Sequence, residues 1–302
     1  MSFIAYKDII EEGDIVILYL GYDNLLTLKV EAGKVHQTKY GALKHDSLIG
    51  EKFGSKVTCS KGYIHVLQPT PEIWTLALPH RTQILYSTDI SMVIYQLDLR
   101  NGSIVVESGT GSGSLSHALI RTVAPDGHLH TFDFHAERVQ LAQKEFDEHQ
   151  VAKYVTARQQ DVCENGFDLP RIADAVFLDL PGPWTAIPHA KKCLKHMGRV
   201  CSFSPCIEQV QKVCESLKEN SFQDIRTFEC LQKPYEAKTI RMPIANLGLT
   251  NEEQDYNPSL GNITQNEGKD CFEFKSGCRA HIVPGHTGYL TFATLFDPDN
   301  AA

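Results

Sequence analysis

The sequence predicts an α/β protein in which a doubly wound parallel sheet follows a small N-terminal β domain. Three observations carry that expectation. Strand-like and helix-like segments alternate regularly from about residue 103 onward, with connections of crossover length, as a parallel sheet covered by helices on both faces requires. A glycine-rich turn lies between the first strand and the first helix of that alternation, and an acid closes one strand after another. The 302 residues suffice for an α/β domain of about 200 residues plus a smaller companion.

In chain order, residues 13–67 carry short apolar runs (Ile15 to Leu20, Leu25 to Val30, Tyr63 to Leu67) broken by glycine-containing turns, the pattern of a small antiparallel unit. Pro69, Pro71 and Pro79 bracket a joining stretch, because proline disfavours continued helix or central strand. The boundary therefore falls near residue 75, giving a β domain over 1–74 and the α/β domain over 75–302. There the order is SIVVE and a helix over 113–123, HLHTFDF and a helix over 136–149, then YVTARQ. ADAVFLDL follows with a helix over 184–196, and RVCSFS with a helix over 206–219. Segments 222–231 and 287–296 read as two more strands, a hairpin closing the sheet edge. Between them, 245–280 is rich in Asn, Glu, Gly and Ser with little to bury, and is expected to be a disordered insertion.

Composition excludes several classes. The nine cysteines form no CxxC pair and no regular framework, which argues against disulfides and structural zinc. The thirteen histidines show no HxxxH pair with a carboxylate at ligand spacing, so no metal site is expected. The first twenty residues hold four acids and no basic segment ahead of an apolar run, and no later stretch approaches a membrane-spanning length, so neither secretion nor membrane insertion is expected. A formal charge of −8 argues against an independent nucleic-acid binder; any RNA grip must be local or shared with a partner.

The chemistry concentrates at strand ends. Glu107-Ser108-Gly109-Thr110-Gly111-Ser112-Gly113-Ser114 follows the first strand and opens a helix, so its glycines let the backbone approach a ligand at the sheet's carboxyl edge. The spacing is GxGxG rather than GxGxxG, and no P-loop lysine accompanies it, which suits a cofactor without phosphates such as S-adenosylmethionine better than NAD or ATP. Asp133 closes the second strand, twenty-two residues after Gly111, where a carboxylate can accept from ribose hydroxyls. Asp161-Val162 follows the third strand and could bracket an adenine ring; Asp179 ends the fourth, in DLPGPW. Any one of these acids could be a helix cap or turn residue, but one at each successive strand end argues for a common site.

These residues lie in a chain that resembles the tRNA (adenine-N1) methyltransferase catalytic subunit of the eukaryotic type, a Rossmann-like class I S-adenosylmethionine-dependent methyltransferase. The resemblance runs through FGSKV (53–57), TPEIWTLALPHRTQILYSTDI (70–90), ESGTGSGS (107–114), QDV (160–162), VFLDLPGPW (176–184), FSPCIEQVQ (203–211) and GHTGYLTFAT (285–294). It implies that Leu85, the turn from Ser112 to Ser114, Asp133, Arg138, Asp161, Val162 and Asp179 line the cofactor pocket, with Gln83 and Tyr86 beside the methyl donor. Relatives carry Glu where this chain has Asp133, and DIPSPW where it has DLPGPW; Asp reaches one methylene less far toward the ribose.

The implied reaction is in-line methyl transfer from a sulfonium to N1 of adenosine 58 in the tRNA T-loop, with T-loop-like sites in mRNA as a further target class. N1 has its lone pair available at neutral pH, so the site needs no strong general base. It must extract the base, aim N1 at the methyl carbon and offset the positive charge that develops, for which Asp179 is the candidate catalytic residue. Trp184 is a candidate to stack on the base, although an aromatic opening a helix over a sheet is more often core, and Arg81 is a candidate phosphate contact. The resemblance also implies a non-catalytic paralogous subunit, an α2β2 heterotetramer that shares the tRNA surface, and a nuclear location. Two alternatives stay open from the residues: a methyltransferase of the same fold acting on protein or a small molecule, and a non-catalytic RNA-binding scaffold, which predicts erosion of the glycine loop or the strand-end acids.

Overall fold

The computed structural model describes residues 3–21, 24–78, 84–244, 263–266, 269–279 and 287–297. The chain divides into two compact units, residues 1–230 with 287–302 and residues 231–286.

In the first unit, β1 (Ile15–Gly21) and β2 (Asn24–Lys29) are followed by a separate hairpin, β3 (Val35–Thr38) and β4 (Gly41–Lys44), and then by β5 (Lys56–Cys59) and β6 (Gly62–Leu67). Strands β2-β1-β6-β5 form an antiparallel sheet in that order. Its apolar side residues Val16, Leu18, Val57, Ile64 and Val66 close over Leu43 and Leu48 as a core of their own.

Two helices come next, the first inside the stretch that the prolines bracket. α1 (Pro71–Ala77) starts at Pro71 because the first helical turn has no use for a proline N–H, and the Thr70 hydroxyl caps it by accepting from the Ile73 N–H at 3.4 Å. Here Pro71 starts a helix where the sequence reading placed a bare connection. α2 (Ser87–Gln96) leads into the main sheet.

That sheet is built by β7 (Ile104–Ser108), α3 (Ser114–Val123), β8 (His128–Asp133), α4 (Ala136–Glu148), β9 (Val155–Gln159), α5 (Val162–Asn165), β10 (Ala173–Leu178), α6 (Pro183–Cys193), β11 (Leu194–Ser204), α7 (Ile207–Glu219), β12 (Phe222–Phe228) and, after the second unit, the last strand β16 (Tyr289–Leu295). The order is β12-β16-β11-β10-β7-β8-β9, with β11 to β9 all parallel and β16 antiparallel to both its neighbours. Buried residues of α2, α3 and α4, among them Val93, Leu119 and Phe146, cover one face, and Val162, Ala186, Ile187 and Val213 of α5, α6 and α7 cover the other. The sheet is thus doubly wound, and the winding reverses between β7 and β10, where open α/β sheets leave a crevice at the carboxyl ends of their strands. Segments 222–228 and 289–295 do pair antiparallel at the sheet edge, as expected for a hairpin.

The second unit holds β13 (Tyr235–Pro243), β14 (Ile263–Asn266) and β15 (Lys269–Arg279) in the order β13-β15-β14. The stretch 245–280, expected to be disordered, contributes two strands; in the second of them Phe272-Glu273-Phe274-Lys275 alternates apolar and polar residues inside a polar segment. The rest of that stretch lies outside the described residues.

Candidate functional site at the carboxyl rim of the sheet

A cavity of about 410 Å³ opens at the reversal point, lined by Ile84, Leu85, Glu107, Gly109 to Ser112, Ser114, Leu115, Asp133, Arg138, Phe177 and Asp179. Its floor is the turn between β7 and α3. Gly111 and Gly113 both sit in the left-handed region, at φ of +54° and +75°, which a side chain would strain. Gly109, at φ of +99°, is glycine for a second reason as well: a Cβ there would clash with the carbonyl oxygen of Asp179. The turn and the end of β10 are further tied by the Asp179 N–H, which donates to the Ser108 carbonyl at 2.8 Å.

Three carboxylates face this floor. Glu107, 1% exposed, accepts from the Ser116 and Thr131 hydroxyls at 2.6 and 2.7 Å, both on Oε2. The Thr131 proton is committed to Glu107, so Thr110 donates to Thr131 across their 2.6 Å contact. Burial, with further contributions from the nearby Asp179 and Asp133, pushes the Glu107 carboxyl up to about 7. Asp133 accepts from the Gly111 N–H at 3.1 Å and the His135 N–H at 2.9 Å, with the Arg138 guanidinium 3.8 Å away. Asp179 is half-buried, and desolvation together with Asp133 raises its carboxyl to about 6. Among the described residues, Arg138 is the one cation on the lining.

The structure brings Leu85, Glu107, Gly109, Gly111, Ser112, Ser114, Asp133, Arg138 and Asp179 onto one lining. Leu85 also accepts through its carbonyl from the Ser114 hydroxyl at 2.9 Å, which joins the chain before α2 to the start of α3. Gly113 lies just behind the lining, with its N–H bonded to the Thr110 carbonyl at 2.9 Å. Tyr86 is exposed at the start of α2, off the lining. Asp161 caps α5, accepting from the Cys163 and Glu164 N–H groups at 2.9 and 3.4 Å, both on Oδ1, and Val162 is buried in the core beneath α6. Trp184 packs against that same core with the Lys212 ammonium 4.6 Å from its ring centre. Arg81 and Gln83 lie outside the described residues. Ile84, Thr110, Leu115 and Phe177 line the cavity without having been singled out in the sequence; only Thr110 carries a signal, its place inside the glycine turn.

A larger cavity of about 720 Å³ lies at the opposite, amino-terminal rim. There Lys195 pairs with Asp174 at 2.6 Å, and Arg199 donates to the Gln96 carbonyl at 2.8 Å. Asp174, Lys195 and Arg199 are already paired there, and the cavity lies at the amino rather than the carboxyl ends of the parallel strands, so the smaller cavity carries the chemistry. Among the described residues no group of three or more metal-binding side chains assembles, and no helix is long and apolar enough to cross a membrane.

The model of the family described as "tRNA methyltransferase complex GCD14 subunit" matches residues 62–295. The chain is 43% identical over 302 residues to the tRNA (adenine(58)-N(1))-methyltransferase catalytic subunit of Dictyostelium discoideum, covering 94% of this chain and 96% of that protein. It is 45% identical over 251 residues to the corresponding catalytic subunit of Schizosaccharomyces pombe, covering 80% and 69%. Among solved structures it resembles a SAM-dependent O-methyltransferase from Thermotoga maritima (TM-score 0.77, 26% identity, 96% of each chain). It also resembles the tRNA (m1A58) methyltransferase TrmI from Aquifex aeolicus (TM-score 0.70, 25% identity, 96% of this chain and 100% of that one).

Proposed function

The chain belongs to the GCD14 family of tRNA methyltransferase complex subunits, and on that premise we propose that it is the catalytic subunit that methylates N1 of adenosine 58 in the tRNA T-loop, with S-adenosylmethionine as donor. One observation carries the reading: Glu107, Asp133 and Asp179 converge on a glycine turn at the point where the sheet reverses its winding. A non-catalytic scaffold has no use for these groups.

The lining fits that donor. Among the described lining residues, three carboxylates against one guanidinium make a field that favours a cationic sulfonium and ammonium and disfavours phosphates, while Asp133 offers the acceptor that a ribose needs. Bound there, S-adenosylmethionine supplies an electrophilic methyl carbon. Asp133, assisted by Arg138, orients the ribose; Asp161 holds its second carboxylate oxygen toward the adenine amine; Leu85, Ile84 and Phe177 exclude water. Gln83 and Tyr86 belong beside the methyl group, and Arg81 and Trp184 on the RNA side.

Asp179 then acts on the target base. Its carboxylate accepts from the exocyclic amine, which turns N1 toward the methyl group and offsets the charge spreading into the ring. No proton leaves N1, so no general base is needed. The net negative charge of the chain calls for a partner to share the phosphate backbone, for which a non-catalytic paralogous subunit is the candidate; the α2β2 assembly and the nuclear site of action rest on the family resemblance alone. Incubation with labelled donor and unmodified tRNA, with and without the co-expressed sister subunit, tests this: label mapped to adenosine 58 only with the sister is expected. Label in protein, or no donor binding, overturns it.

A further inference from the structure

Two buried histidines stand behind the glycine turn, outside the reaction just described. His117, in the first turn of α3, and His149, which ends α4, are 1% and 2% exposed. His117 Nδ1 lies 2.6 Å from the Gly113 carbonyl, and its Nε2 lies 2.7 Å from Nδ1 of His149. A carbonyl has no proton to give, so His117 must donate from Nδ1; burial disfavours a charged ring, and in a neutral His117 the Nε2 is then a lone pair that accepts from the His149 Nδ1–H. Each ring is neutral in this arrangement, and the two share one direction of donation that ends on Gly113.

The rings have little room to turn. Phe3 lies tilted against both rings, with centroids 4.3 Å from His149 and 5.0 Å from His117, Trp74 stands edge-on to His149 at 4.7 Å, and Phe146 packs on His117 at 5.4 Å. Gly113 is the residue that most needs holding: it is left-handed, it has no side chain, and its carbonyl is the first acceptor of α3 through the His117 N–H at 3.2 Å. Its own N–H closes the turn on Thr110. Fixing that carbonyl from behind fixes the Gly111-Ser112 backbone that lines the cavity in front.

We infer that the His149–His117–Gly113 chain is a positioning device for the donor turn, holding the left-handed glycine so that the turn is preformed for S-adenosylmethionine. The inference rests on the donor reading of the cavity. Preorganisation of this kind tightens binding by removing an ordering cost that a looser turn would incur each time the ligand binds.

Equilibrium binding of S-adenosylmethionine to the purified full-length chain tests it, with turnover measured in the presence of the sister subunit. His117→Phe keeps the ring volume and deletes the donor; it should weaken donor binding at least about tenfold and raise the donor KM in step, with kcat at saturating donor kept within about twofold. His117→Asn places an amide N–H near the position of Nδ1 and should recover binding to within about threefold of the parent. Parent-like binding by a folded His117→Phe, or His117→Asn as poor as the phenylalanine variant, overturns the inference. Nitrogen-15 imidazole spectra of the unaltered protein decide the matter if a variant does not fold: both rings should be neutral with the proton on Nδ1, and a cationic or Nε2–H ring in either one overturns it. If the unaltered chain fails to bind the donor, the donor reading itself falls.

Discussion

Asp179 and Glu107 face the same cavity but are asked for different things. Asp179 is half-buried at the mouth of β10, whereas Glu107 lies wholly beneath the turn, committed to Ser116 and Thr131. Replacing Asp179 with Ala should lower turnover at least about a hundredfold, roughly 3 kcal/mol for one preorganised contact to developing charge, while donor affinity changes little. Single-turnover kinetics at saturating donor check this, and undiminished turnover removes Asp179 from the mechanism. The raised carboxyls also set a pH dependence. Each binds its proton more tightly in the folded protein than in the unfolded chain, from 3.8 to about 6 for Asp179 and from 4.5 to about 7 for Glu107. Their contribution to stability is complete below about pH 4 and is lost as pH rises through 6 to 7. Donor affinity should move the opposite way, rising from pH 5.5 to 8 as the carboxylates ionise around a cationic ligand. Glu107→Gln, whose amide oxygen still accepts from Ser116 and Thr131, should remove about 3 kcal/mol of that loss. Unfolding curves at pH 5 and 8 measure it, and an unchanged difference between the two pH values contradicts the assignment. These acids were legible in the sequence because polar residues at strand ends stand out; Ile84, Leu115 and Phe177 were not, because an apolar residue facing a cavity reads the same as one facing the core.

At the scale of elements, the alternation of period-two and helical segments was enough to set out the main sheet and both its covering layers, since each crossover must bury one face. Short pieces escaped it. α1 begins at a proline that looked like an interruption, and α5 is four residues long, too short for a helical period to show. β11 begins directly after α6, with Met197 left-handed, so its first residues read as helix end. The glycine turn was legible as a loop, but the reason for its first glycine was not: Gly109 yields space to the Asp179 backbone rather than to a ligand. Gly109→Ala, at φ +99° with its Cβ against that carbonyl, should destabilise the protein by at least about 2 kcal/mol and depress turnover through displacement of Asp179. Denaturant unfolding beside kinetics checks both halves. Asp161 separates a cap from a ligand contact. Asp161→Ser preserves the N-cap of α5, so stability should hold within about 0.5 kcal/mol, but a hydroxymethyl group is too short to serve an adenine amine, and donor affinity should fall about tenfold. Unchanged affinity would leave Asp161 as a cap alone.

On the scale of the whole molecule, the catalytic reading needs only the first unit, residues 1–230 with 287–302. β16 lies between β11 and β12, so the main sheet takes up its last strand only after the chain has made the excursion through residues 231–286. The two ends of that excursion meet: Phe228 pairs with Leu290, and the Thr287 hydroxyl reaches the Cys230 carbonyl at 3.5 Å while its N–H donates to Glu229 at 3.4 Å. A hairpin turn can therefore replace the excursion without altering the register of either strand. Shortening a connection also lowers the entropy of closing it, by about 0.6 kcal/mol for each halving of a flexible loop. A chain in which Cys230 is joined to Thr287 by a short glycine-containing turn should fold, lose little or no stability, and bind S-adenosylmethionine within about threefold of the parent, since no residue of the cavity lining is removed. Thermal unfolding and donor titration measure the outcome. A variant that binds the donor but no longer methylates tRNA assigns residues 231–286 to the RNA or to the sister subunit; one that folds but loses the donor shows that the pocket depends on more than the unit that lines it.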